Sequence, residues 1–294
     1  MHSTSSSIIP RQDRKWNLPP LCLPIWKAST KLLKRCIMYE LSRVNGIPCF
    51  RALAFKDVPF ISHAFFTRQG GISEAPYESL NVSFELGDDL TRVMENRRRV
   101  AETLGLRTDN FFFLHQVHGH RVVEARRISH PSPHADAVIT DKRGIALAIK
   151  TADCVPILLC DPERPAVAAI HSGWRGTAKN IIKGTISMME SKYRTKREKI
   201  IAAVGPAIGP CCYEVDRTVA AALLDEKELG PSEKDGKFFI DLTSLNIRQL
   251  KAEGLEEKNI TAINLCTFCH KKFFFSHRRD HGLTGRQISV IMIL

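Results

Sequence analysis

No apolar run in the sequence approaches the roughly 20 residues that a membrane-spanning helix needs, and no apolar core of a secretory signal stands near its start. We therefore expect no membrane partner and no export. The nine cysteines are scattered along the chain and odd in number. Without an export signal they indicate reduced thiols rather than a disulfide framework, which favours a cytoplasmic protein.

Acidic side chains are scarce in the first 38 residues, where Asp13 stands against seven lysines and arginines. This segment carries half of the net charge of +12, so the remainder is only mildly basic and we expect no nucleic-acid partner. The segment is also rich in serine and proline. We expect residues 1–37 to be a disordered basic extension, with an organellar transit peptide as the alternative, and residues 38–294 to be the catalytic domain.

Low-complexity linkers and repeats are missing from Phe50 onward, and strand and helix patterns alternate instead. The stretches KIIAAVGP and ISVIMIL are typical of buried strands. The stretch DLTSLNIRQLKAEG predicts a helix with Asp241 as N-cap and a stop at Gly254, and another helix is predicted to open at Thr177. The mixed pattern predicts one α/β domain with a central sheet.

A carboxylate and a thiol, Asp153 and Cys154, stand at the start of the apolar strand TADCVPILLC. A buried thiol of this kind is often no more than a small hydrophobic side chain. His171, however, ends the neighbouring strand in AAIHSGWRGTAKN. If the two strands pair antiparallel, the end of one faces the start of the other, and Cys154 can meet His171.

The stretch HQVHGH places His115, His118 and His120 within six residues beside a glycine, which indicates a possible metal site. Two histidines and one cysteine form the donor set of a catalytic zinc that keeps one position open. Without metal, Cys154 and His171 could instead form a thiolate–imidazolium pair. The residues alone leave both interpretations open.

The stretch CTFCH, from Cys266 to His270, matches the pattern of covalent haem attachment. It lies between core strands of an α/β chain, and attachment would need an export route. A zinc site there would need further ligands at matching spacing, and the adjacent Cys211 and Cys212 are poor partners for Cys266 and Cys269. We therefore expect no haem, and buried structural thiols instead.

Ten stretches together resemble one family, from about Ile61 to Leu294: TRQGGIS, YESLNVSFELGDD, ENRRRV, HQVHG, ADAVIT, TADCVPIL, HSGWRGTAKN, VGPAIGPCCYEV, DLTSLNIRQL and FFFSHRRDHGLTGRQ. This is the YfiH-type laccase-domain, or polyphenol oxidoreductase, family, now described as purine nucleoside phosphorylases. The resemblance implies that His118, Cys154 and His171 are the metal ligands. It also implies that Asp153 contacts the substrate or supports the metal.

The resemblance implies a mixed α/β sandwich related to Cys-His hydrolases and toxin catalytic domains. It implies phosphorolysis of adenosine, inosine and S-methyl-5'-thioadenosine, deamination of adenosine, and zinc as cofactor with copper as the alternative. A copper-dependent polyphenol oxidase and a metal-free Cys-His hydrolase are the rival functions. We expect Asp153 to move protons in deamination, while cationic and amide donors hold phosphate. The candidate substrate-binding residues are Arg68, Asn81, Arg97 and Arg175.

Overall fold

The fold was taken from a computed structural model, which describes residues 38–225 and 237–294. The expected extension over residues 1–37 lies outside these ranges. The strands are β1 Tyr39–Val44, β2 Ile47–Ala52, β3 Ile61–Phe66, β4 Phe111–Phe113, β5 Val122–Glu124, β6 Ala137–Thr140, β7 Ala146–Thr151, β8 Val155–Asp161, β9 Ala166–Ser172, β10 Ile201–Val204, β11 Glu214–Val215, β12 Phe238–Phe239, β13 Ile260–Ala262 and β14 Gln287–Ile293. The helices are α1 Leu90–Thr103, α2 Trp174–Ala178, α3 Ile181–Tyr193, α4 Arg217–Leu223 and α5 Leu242–Ala252. Among the described helices, none is both long enough and apolar enough to cross a membrane.

Two six-stranded sheets form the body of the molecule, with strand orders β1-β2-β3-β14-β7-β4 and β13-β10-β8-β9-β6-β5. Their facing sides share one apolar core, and α1 packs on the outer side of the first sheet. Helices α3 and α5 cover the outer side of the second sheet. The mixed α/β sandwich is thus present. The prediction of one central sheet is wrong, because the strand pairings that separate two sheets join distant parts of the chain and leave no local pattern.

Strand β8 shows why the TADCVPILLC stretch is apolar almost throughout. Its residues alternate between two cores: Val155, Ile157 and Leu159 face the helices, whereas Leu158 and Cys160 face the other sheet. Side chains of a strand point to opposite faces in turn, so a strand covered on both sides needs apolar residues at every position. The strand therefore forms a rigid, buried base for the residues at its start.

The helix starts are set by side-chain caps. The Asp241 carboxylate accepts a hydrogen bond from the Ser244 N–H. Asp241 is thus the N-cap of α5, which begins at Leu242, as the sequence predicts. The helix predicted to open at Thr177 is instead two helices. The short α2 ends at Ala178 with Lys179 as its C-cap, and Asn180, in the left-handed region with φ 49°, caps α3 by accepting from the Lys183 N–H.

Candidate metal and substrate site

Three side chains meet where β8 begins and β9 ends. The two strands pair antiparallel with Pro156 opposite His171, so Cys154 lies beside the end of β9, as expected for an antiparallel pair. The ligand atoms of His118, Cys154 and His171 all lie within 4.8 Å of one another. Gly173 makes room for this approach, because a Cβ there would lie 3.1 Å from the Cys154 Sγ.

His118 reaches the group from the loop before β5, and Asp136 holds that loop in place. The buried Asp136 carboxylate accepts backbone N–H groups of His118 at 2.9 Å and Gly119 at 2.7 Å. Its Oδ1 also lies 2.8 Å from the His171 Nδ1. One carboxylate therefore positions both histidines and leaves the Nε2 of His171 to face the group. Sequence reasoning quoted ADAVIT only as a family stretch and gave Asp136 no role.

Charges within the group favour an ionised thiol. Burial by itself would raise the pKa of the Cys154 thiol, but the charge of His171 and hydrogen bonds to both histidines outweigh burial and lower the pKa. Burial would likewise lower the pKa of His171, whereas the Cys154 charge and the Asp136 carboxylate raise it. A thiolate is the form of cysteine that binds metals, so the site is arranged to receive a cation.

The three donors fit a borderline-soft divalent ion. Zinc bonds of about 2.3 Å to sulfur and about 2.0–2.1 Å to nitrogen place the tetrahedral donors of such a group roughly 3.3–3.6 Å apart, within the span of this group. Burial decreases from His171 through Cys154 to His118, which is exposed. The group thus opens on the His118 side and leaves space for a further ligand. Two histidines and a cysteine also suit copper, so the donor set alone does not select between the two metals.

The group lines a cleft of about 590 Å³, a size common for small-molecule sites (roughly 300–1,000 Å³). The cleft is lined by four cationic side chains, Lys150, Arg175, Arg278 and Arg286, and by four carboxylates, Glu85, Asp153, Glu214 and Asp216. Burial lowers the pKa of Lys150, although the Glu85 carboxylate 3.0 Å away opposes the effect. Burial also lowers the pKa of Arg286, against the charges of Cys154 and Asp153. Partly desolvated cations of this kind attract anions strongly.

Asp153 lines the same cleft, and its carboxylate is held by residues near the end of the chain. Oδ1 accepts a hydrogen bond from the Thr267 hydroxyl at 2.6 Å. Oδ2 accepts from the Ser276 hydroxyl at 3.0 Å and from the Arg278 N–H at 2.7 Å. Its backbone has a φ of 90°, rare for a residue other than glycine, and this turn leads the chain directly into Cys154.

Of the candidate substrate-binding residues, Arg175 lines the cleft, at the start of α2. Arg97 lies elsewhere: its guanidinium sits 4.0 Å from the ring centroids of both Phe84 and Phe113, and its Nε donates to the Val82 carbonyl. The structure therefore places Arg97 in an aromatic sandwich outside the cleft lining. Its predicted contact with phosphate has no support from this position.

Arg68 and Asn81 also lie outside the cleft lining. The Arg68 Nε donates to the Glu78 carbonyl at 2.6 Å, and its guanidinium stacks on the Phe275 ring. Asn81 is fully buried, and its Oδ1 accepts the Arg286 N–H at 3.0 Å. Asn81 is therefore placed to position Arg286 rather than to touch a substrate. Sequence reasoning missed Arg286 and Arg278, although both stand in the quoted stretch FFFSHRRDHGLTGRQ.

The other histidines of HQVHGH do not join the group. The His115 Nδ1 lies 3.4 Å from the Glu85 Oε1, and its ring lies against that of His134 with centroids 4.3 Å apart. His120 is exposed and is not part of the donor group. His118 alone of the three has a left-handed backbone, with φ 55°.

Fold and site together define a two-sheet α/β sandwich protein with a His-Cys-His donor group at the start of an inner strand. A family model described as "Multi-copper polyphenol oxidoreductase laccase" matches residues 62–294. The chain belongs to this family, which includes the YfiH and YlmD proteins, and the family resemblance inferred from the sequence is confirmed.

Similar proteins and structures agree with this assignment. The chain is 40% identical over 253 residues to a protein of Deinococcus radiodurans named purine nucleoside phosphorylase, covering 84% of this chain and 93% of that one. It is 37% identical over 243 residues to purine nucleoside phosphorylase YlmD of Geobacillus stearothermophilus, covering 76% and 87%. The crystal structure of that YlmD superposes with a TM-score of 0.80 at 34% identity, over 87% of this chain and 98% of that one. The relation to Cys-His hydrolase and toxin folds remains a prediction.

Proposed function

We propose that the protein is a purine nucleoside phosphorylase that splits adenosine, inosine and S-methyl-5'-thioadenosine with phosphate, and that it also deaminates adenosine at a zinc site. The observation that carries the proposal is the donor group of His118, Cys154 and His171 in a cleft that also presents the guanidinium groups of Arg175 and Arg286. The names of its relatives from Deinococcus radiodurans and Geobacillus stearothermophilus support the phosphorylase part.

Phosphorolysis needs an anion held below C1′ of the sugar. A phosphate oxygen bonds to C1′ while the bond from C1′ to the purine nitrogen breaks, and the leaving base takes up a proton. Arg286 and Arg175 are the proposed phosphate ligands, because guanidinium groups bind phosphate oxygens through pairs of charge-assisted hydrogen bonds. Two backbone carbonyls, of Thr284 and Gly285, accept from the Arg286 guanidinium and fix its direction.

Deamination needs a water activated beside the purine ring and a group that moves protons. A zinc ion held by His118, Cys154 and His171 would supply a Lewis acid for that water. Asp153 is the proposed proton carrier. An ionised carboxylate has about four acceptor positions. Three of these are taken by Thr267, Ser276 and Arg278, which leaves one on Oδ1 for the substrate.

Two rivals make different demands on the chain. A multicopper oxidase needs several copper centres rich in histidine. Over residues 38–225 and 237–294 the structure offers one metal-donor group with histidines, and its other group consists of cysteines alone. A metal-free hydrolase would use the Cys154 thiolate as nucleophile with His171 as its base. That reading predicts activity without any metal, whereas the proposed deaminase requires one.

The test is product analysis on protein of known metal content, with adenosine, inosine and S-methyl-5'-thioadenosine, each with and without phosphate. We expect free base and the sugar 1-phosphate only when phosphate is present, and inosine with ammonia from adenosine in either case. Cys154→Ala should lose the metal of the cleft and deamination, whereas Cys160→Ala, a change at a buried cysteine of the strand that follows Cys154, should keep both.

Two results would contradict the proposal. Phenol oxidation by copper-loaded protein, without base release or ammonia from any of these nucleosides, would favour the oxidase. Undiminished nucleoside turnover by chelator-treated protein, with covalent labelling of Cys154 by the substrate, would favour the metal-free enzyme.

A further inference from the structure

Four cysteines from two segments that are distant in the sequence lie close together in the structure. They are Cys211, Cys212, Cys266 and Cys269, and their sulfur atoms all lie within 4.8 Å of one another. The sequence predicted buried structural thiols here. The structure corrects this, because Cys269 is exposed and Cys211 and Cys212 are only half-buried. Adjacent cysteines do not show the spacing of a zinc motif, so only the fold could bring the two pairs together.

We propose that these four thiols form a second, structural metal site that binds one zinc ion. Four thiolates in tetrahedral arrangement are a common donor set of structural zinc. Zinc–sulfur bonds of about 2.3 Å place the sulfur atoms of such a site about 3.8 Å apart. The Cys269 Sγ lies 3.7 Å from that of Cys211 and 3.4 Å from that of Cys212, close to this spacing. Each thiol would release its proton to solvent as zinc binds.

The backbone supports the cysteines as it supports ligands in metal sites. The Gly209 N–H donates to the Cys266 Sγ at 3.2 Å. A Cβ at Gly209 would lie 3.2 Å from the Cys266 Cβ and 3.4 Å from the Cys211 Sγ, so glycine allows the two segments to approach. The N–H groups of Cys212 and Tyr213 both donate to the Gly209 carbonyl, which forms the turn that carries the adjacent cysteines. Such supporting contacts orient ligands and tune the site.

The two segments that zinc would join both hold Asp153. The Ile208 N–H, from the first segment, donates to the Asp153 carbonyl at 2.9 Å. The Thr267 hydroxyl, from the second, donates to its carboxylate. Residues 207 and 266 also form a bridge between the segments. The second metal would therefore fasten the outer wall of the cleft, whereas His118, Cys154 and His171 would hold the metal inside the cleft.

A disulfide is the competing use of these thiols. Cys269 could bond to either Cys211 or Cys212, and the two remaining cysteines could then form a second disulfide. Zinc uses all four equally. Elemental analysis of protein purified under reducing conditions and incubated with zinc alone, then freed of excess metal, separates these cases.

We expect two zinc ions per chain in the unaltered protein and one in each of Cys212→Ser, Cys269→Ser and Cys154→Ala. Cys49→Ala is the matched control: it removes a buried cysteine outside both groups and should keep two. Cobalt in place of zinc should give a strong thiolate-to-metal absorption, most of which Cys269→Ser removes and Cys154→Ala retains, because four thiolates belong to the cysteine site and one to the cleft site. The partly exposed positions of Cys212 and Cys269 keep these changes compatible with folding.

Unchanged zinc content in both serine variants would overturn the proposal. The proposal would also fail if protein purified without reductant bound no metal at this site and its intact mass were lower by the hydrogens that disulfide formation removes. The same measurement tests the catalytic site separately. If Cys269→Ser lost one zinc ion but Cys154→Ala lost none, the cysteine site would be supported and the catalytic zinc site would be refuted.

Discussion

Replacing Asp136 by asparagine should weaken metal binding without touching a ligand. The carboxylate is fully buried and accepts hydrogen bonds at both oxygens, from His171 and His118 at Oδ1 and from Gly119 at Oδ2. Burial would raise the pKa of Asp136, but the hydrogen bond and charge of His171 and the backbone N–H groups lower it. Asparagine has one oxygen and one NH₂ group. With the NH₂ group at the Oδ1 position, the contacts with the His171 ring and the His118 N–H are lost; at the Oδ2 position, the contact with the Gly119 N–H, which holds the loop of His118, is lost.

The structure also sets the size of the effect. A hydrogen bond to a charged group contributes about 1.5–3 kcal/mol. Since about 1.4 kcal/mol corresponds to a factor of ten, zinc affinity should fall roughly 10- to 100-fold. Changes to groups that support metal ligands typically have effects of this size.

Competition with a chromophoric chelator measures the zinc affinity. Asp161→Asn is the matched control, because Asp161 is also buried and accepts backbone N–H groups of Glu163 and Arg164 at 3.0 Å, at the opposite end of β8. Thermal unfolding shows how much stability each change costs. Equal zinc affinities for the Asp136 and Asp161 variants would refute the argument that Asp136 orients the histidines.

Three further predictions concern phosphate, acid and the N-terminal segment. Arg286→Ala should reduce kcat/KM for phosphate about 10- to 100-fold through loss of a charge-assisted contact, and Arg97→Ala should reduce it less; the opposite order in steady-state kinetics would return Arg97 to the phosphate site. Burial and Arg51 lower the pKa of His63 to about 3. In the unfolded chain the histidine has a pKa of about 6.5 and becomes protonated below that pH, whereas in the folded chain it stays neutral. The free energy of unfolding therefore decreases as the pH falls below about 6.5, by roughly 2–3 kcal/mol at pH 4.5. Urea unfolding of His63→Gln should show a loss smaller by that amount, and an equal loss would contradict this account. Deleting residues 1–37 should leave melting temperature and phosphorolysis unchanged, since the family match begins at residue 62; an insoluble or inactive product would make the segment part of the fold.

Local features of the fold were predictable because they depend on neighbouring residues. The apolar run of β8 follows from a strand buried on both faces, and the start of α5 follows from the Asp241 cap. The prediction that Cys154 lies near His171 also needed only one local assumption, that the two adjacent strands pair antiparallel. The assignment of these residues as metal ligands came from the family resemblance and stays a prediction until metal is measured.

The sequence by itself therefore determined the strand that follows Cys154, the Asp241 helix cap and the family. Only the tertiary structure showed that Asp136 contacts both His118 and His171. It also showed that Arg286 lines the cleft, whereas Arg97 stacks on aromatic rings outside the lining. It alone joined Cys211 and Cys212 to Cys266 and Cys269. The physical reason is that periodicity and capping act over a few residues. Contacts between residues far apart in sequence depend on strand order and loop paths, which the whole chain sets through packing.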